Sequence, residues 1–94
     1  MATQFTTQTA TFDSNGTQQL SASFDSTVLG ATVVLQGFYA TYGNGNYNTS
    51  TNQAAISNVS FSGNTVSYDV TFTFDDTVNQ RTGNITAAII AETA

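Results

Sequence analysis

Residues 65–74 read Thr-Val-Ser-Tyr-Asp-Val-Thr-Phe-Thr-Phe, a strict alternation with Val66, Tyr68, Val70, Phe72 and Phe74 on one side and Thr65, Ser67, Asp69, Thr71 and Thr73 on the other. A period of two lines up side chains only along an extended backbone, because a helix aligns every third or fourth residue. The β-branched and aromatic content agrees, so the pattern predicts a strand with one buried and one solvated face. Gly and Asx clusters punctuate the rest of the chain into segments of strand length.

Residues 4–12 place Thr6, Gln8, Ala10 and Phe12 opposite Phe5, Thr7, Thr9 and Thr11, polar enough for an edge strand. Asp13-Ser14-Asn15-Gly16 then reads as a tight turn whose Asn-Gly pair would supply positive φ for a hairpin. Residues 17–24 turn Leu20, Ala22 and Phe24 inward, and residues 31–42 follow. There Val33, Val34, Leu35, Phe38 and Tyr39 lack alternation, the pattern of a strand covered on both faces. After the Gly/Asn-rich loop of residues 43–52, the segment 53–61 puts Ala55, Val59 and Phe61 on one face. Ser62-Gly63-Asn64 is the strongest hairpin signal. A final strand carries Ile85, Ala87, Ile89 and Ala91 on one face and Ala88 and Ile90 on the other.

Six strands separated by turns, with no helical window, predict an all-β fold, a single small antiparallel β-sandwich spanning residues 1–94. The seven Phe and four Tyr supply a core that a disordered chain would lack. The chain has no Pro and one basic residue, Arg81, so its edge strands carry neither of the usual guards against pairing with other chains. The edges and the doubly apolar last strand are therefore expected contact surfaces for further copies.

Charged residues are only 7% of the chain, leaving a surface of Thr, Ser, Asn and Gln. One cation cannot neutralise a phosphate backbone or a membrane surface, so nucleic acid and polybasic membrane binding are not expected. No apolar run approaches a membrane span, and Met-Ala-Thr-Gln-Phe-Thr-Thr has neither a basic nor an apolar leader, so neither membrane insertion nor a signal peptide is expected. An extracellular or particle-associated location is the expectation.

With no His, Cys, Lys or Trp, no nucleophile-base pair, Schiff base, thiolate or imidazole site can be assembled, and the expectation is a non-enzyme without cofactor or metal. Asp75 and Asp76 are adjacent and point apart at a strand end, which does not suit a glycosidase pair. Neither they nor the Asp13 turn amounts to a complete calcium loop. Asn15, Asn48, Asn58 and Asn84 begin glycosylation triplets that this composition produces by chance. Tyr42 and Tyr47 flank amide-rich residues and are candidates to stack on a sugar ring.

The order of Phe24, Val33-Val34-Leu35, Asn58-Val59-Ser60 with Gly63, Phe74-Asp75-Asp76-Thr77 and a closing strand to Glu92 resembles the H-type lectin domain. That resemblance implies a six-stranded antiparallel sandwich, trimeric assembly and a site for N-acetylgalactosamine or galactose-type sugars. Asp13 matches the family's acidic ligand ahead of the second strand. The family's arginine falls near Thr51 or Asn52, its Trp-His pair near Phe74-Asp75, and its tyrosine near Gln80 beside Arg81, so most signature ligands are replaced. Two functions follow as expectations. One is a lectin-like, carbohydrate-binding homo-oligomer using Asp13, Asn52, Asp75, Asp76, Arg81, Tyr42 and Tyr47; the other is a self-assembling structural subunit of a particle, fibre or sheath.

Overall fold

The computed structural model describes residues 2–42, 52–74 and 81–94. Six strands run β1 (Ala2–Phe12), β2 (Gly16–Ser23), β3 (Val28–Tyr42), β4 (Asn52–Ser62), β5 (Thr65–Phe74) and β6 (Arg81–Thr93). They form two three-stranded antiparallel sheets, β1-β6-β3 and β2-β5-β4. The sheets pack face to face, with β1 over β2, β6 over β5 and β3 over β4.

The two central strands form the core. On β5 the inward set Val66, Tyr68, Val70 and Phe72 is fully buried, and on β6 the set Ile85, Ala87, Ile89 and Ala91 is fully buried opposite it. Val66, Val70, Phe72, Ile85 and Ile89 each contribute about 1.5–3 kcal/mol by leaving water, and the alanine methyl groups less. Phe12 and Phe38 pack around Phe72 with centroids at 5.9 and 6.2 Å. The outward faces carry hydroxyl pairs at matched register, Thr9 with Thr86, Thr17 with Thr71 and Ser21 with Ser67, which is how an uncharged sheet surface satisfies its polar groups.

Of the consecutive strands only β4 and β5 pair as a hairpin, with Ser62 opposite Thr65 and Gly63 at φ 60°. The Asp13 turn is not a hairpin turn. It carries the chain from one sheet to the other, and neither Asn15 nor Gly16 has a positive φ. The missing alternation of residues 31–42 also has a different cause from the one expected. β3 is an edge strand, and register shifts between Val28 and Gly30 and between Leu35 and Gly37 reverse the faces, so that Val33, Leu35 and Phe38 all point inward while Val34 and Tyr39 point out. The doubly apolar β6 is central, with both edges taken.

β4 contains a third irregularity. Its register shifts between Ser57 and Ser60, with Asn58 left-handed at φ 54°. Ala54 and Ile56 therefore face the core ahead of the shift, Ala55 is exposed, and Phe61 shares the face of its buried partner Val66. The grouping of Ala55 with Phe61 fails for that reason: one extra residue turns the strand over.

Candidate functional site

The topology sends two sets of chain ends to opposite poles. At one pole, Val28 donates its backbone N–H to the Gly63 carbonyl at 2.8 Å, Phe24 to that of Asn64 at 2.9 Å, and Ala94 to that of Thr27 at 2.9 Å. This pole is closed by main chain. At the other pole lie the strand ends Phe12, Gly16, Tyr42, Asn52, Phe74 and Arg81.

Asp13, Tyr42, Asn52 and Arg81, the described candidates for sugar contact, lie at this second pole. Tyr42 lies opposite Arg81 in the β3/β6 ladder, and Asn52 opposite Phe74 in the β4/β5 ladder. Asp13 stands exposed in the sheet-crossing turn, where residues 11–18 line a shallow depression of about 210 Å³. Gln18 shapes its wall by donating Nε2–H to the Thr11 carbonyl at 2.8 Å. Tyr47, Asp75 and Asp76 lie outside the described residues. Among the described residues, no three acids gather as a metal cluster, and no helix is long and apolar enough to cross a membrane.

Two of the glycosylation triplets place their asparagine in side-chain hydrogen bonds. Asn58 donates to Oδ2 of Asp69 at 2.8 Å, and Asn84 accepts from Thr11 at 2.9 Å while donating to the Tyr39 hydroxyl.

The long sides of the sandwich differ more sharply than its poles. Between β1 and β2, Gln8 reaches across the layers, giving Nε2–H to the Ser21 carbonyl at 2.7 Å and receiving the Tyr68 hydroxyl on Oε1 at 2.5 Å. Ala10, Phe12, Ala22 and Phe24 are buried beneath, so this side is sealed by amides. Between β3 and β4, the inward residues Leu35, Phe38 and Phe61 remain 39%, 44% and 45% exposed, too much for a finished core and too apolar for a solvated rim. Val33 and Ile56 sit half-buried behind them.

Both strands of this open side are sheet edges, and neither Val28–Tyr42 nor Asn52–Ser62 contains a charged residue. The missing edge guards are legible in the sequence; that two unguarded edges lie one above the other is not. On the outer face of the first sheet, Phe5 pairs with Ile90 and Val34 with Ala88, with Phe5 73% exposed. Comparisons of this chain with protein-family models, curated proteins and solved structures find no significant match.

Proposed function

We propose that the chain is a self-assembling structural subunit. The observation that carries this reading is the exposure of large apolar side chains on uncharged edge strands: Leu29, Val34, Leu35, Phe38 and Tyr39 on β3, and Val59 and Phe61 on β4. Open growth needs more than one contact per copy, and the apolar positions divide between the β3/β4 side and the Phe5/Ile90 region of the outer face. A net charge of −5 keeps the remaining surface mutually repulsive, which confines contact to these regions. Light scattering and negative-stain microscopy of the purified chain across a concentration series test the reading. Species that grow with concentration support it, and a monomer at every concentration overturns it.

A second reading, a carbohydrate-binding module, is supported by the convergence of Asp13, Tyr42, Asn52 and Arg81 at one pole and by a fold of the kind the lectin resemblance implies. Weak single sites of this type gain strength from multiple copies, so assembly and sugar binding are compatible.

A further inference from the structure

We infer that the open side between β3 and β4 is the contact surface for a second copy of this chain, joined to it by a two-fold axis; this rests on the self-assembly reading above. The axis runs perpendicular to the sheets, so that β3 meets β3 of the second copy and β4 meets its β4, both antiparallel.

The occupant follows from shape and charge. The surface consists of two stacked strand edges with an apolar gap between them, where Leu35, Phe38 and Phe61 stand partly in solvent. Stacked sheets lie about 10 Å apart, so a single added strand would satisfy one edge and leave the gap open. Filling both edges and the gap requires a partner that offers two edges at the same spacing, and another copy of this side does so by construction. A two-fold axis brings like surfaces together, which in an acidic protein ordinarily brings like charges together. Here it does not: the six acids and Arg81 all lie outside residues 28–42 and 52–62. The neighbouring strands carry one acid each beside this side: Asp69, opposite Ser57, is held by the Asn58 amide at 2.8 Å, and Glu92, opposite Gly30, accepts the Thr3 hydroxyl of β1 at 2.5 Å, away from β3.

Size also fits. The molecule measures 52 × 17 × 16 Å, and strands of this length extend about 3.4 Å per residue, giving a side of roughly 600–800 Å² per copy; stable interfaces bury about 800 Å² per partner. The register shifts in β3 and β4 interrupt a continuous hydrogen-bonded ladder, so side-chain packing across the gap supplies most of the contact and short regular stretches such as residues 31–35 supply the pairing.

The test is sedimentation velocity on the full chain from micromolar to millimolar concentration, with the double variant Leu35→Lys/Phe61→Lys, the control Gln19→Lys at an exposed position of β2, and dichroism to confirm folding. The wild-type chain and Gln19→Lys form a dimer or larger species, whereas burying two ammonium groups raises the double variant's dissociation constant by a factor of about 100 or more. Hydrogen exchange on the wild-type chain gives a readout that does not depend on the variants folding: amides of 28–42 and 52–62 gain protection as concentration rises, while those of 16–23 do not. Assembly with protection confined to other segments, or a folded double variant that assembles like wild type, overturns this surface and leaves the self-assembly reading standing. A wild-type chain that remains monomeric overturns both.

Discussion

The ring of Phe72 lies directly against the backbone of Gly83: a Cβ at Gly83 would stand 2.7 Å from Cζ of Phe72, with two more ring carbons inside 3.0 Å. Phe72 is fully buried between Phe12 and Phe38 and has little room to yield. Gly83→Ala should destabilise the fold by about 1–3 kcal/mol, the usual cost of forcing atoms into a filled core. In a double-mutant cycle with Phe72→Leu the two losses should be less than additive, because the smaller side chain relieves the clash. Urea denaturation of the four proteins checks this; strict additivity would show that the close approach carries no energy.

Tyr68 is a second buried side chain with a specific tie, its hydroxyl donating to Gln8 across the layers at 2.5 Å. Tyr68→Phe should cost about 0.5–1.5 kcal/mol at neutral pH, since it leaves the Gln8 oxygen short of a donor. Burial also raises the phenol's pKa above its ordinary value of 10.0. A group whose folded pKa is raised contributes stability that is complete below the unfolded value and is lost as pH climbs through the folded one. The wild-type chain should therefore lose stability above pH 10 more steeply than Tyr68→Phe, and thermal melts at neutral and alkaline pH measure the difference.

Asn58 combines a left-handed backbone, φ 54°, with a hydrogen bond to Asp69. Asn58→Gly keeps the conformation and loses only the amide, whereas Asn58→Val must hold a β-branched residue in a region that costs L-residues roughly 1–2 kcal/mol. The valine variant should be the less stable of the two in denaturant titrations. Equal stabilities would mean that the strand has abandoned its bulge.

If the pole of strand ends binds sugar, Asp13→Ala should reduce signal on a glycan array of the assembled protein at least about tenfold without changing its sedimentation, since truncating a charged hydrogen-bond partner removes roughly 1.5–3 kcal/mol. Glycan binding unaffected by that change would remove Asp13 from the site.

How much of this was written in the chain can be judged strand by strand. β5 and β2 are legible because their faces differ in polarity without interruption, and Val66 to Phe72 needed only a period of two. β3 and β4 are not legible at the places where a bulge inserts one residue, since the alternation of Leu35 with Phe38, or of Ala55 with Phe61, changes phase there and a pattern carries no label for a phase change. The candidate sugar residues stand out in the sequence only by their chemistry. Their gathering at one pole depends on which strands pair, and four of the five connections cross between sheets.

Local sequence determined the strands themselves, the Gly63 turn and an uncharged coat, because side-chain alternation and turn stereochemistry act over a few residues. Tertiary structure alone decided that β6, not β3, is central, that Gln8 seals one side, and that Leu35, Phe38 and Phe61 share an unsealed one. Those outcomes depend on pairings such as Phe5 with Ile90 and Tyr42 with Arg81, between residues far apart in the chain. Such contacts are selected by how two whole sheets bury their apolar faces together, a choice that no single segment can make.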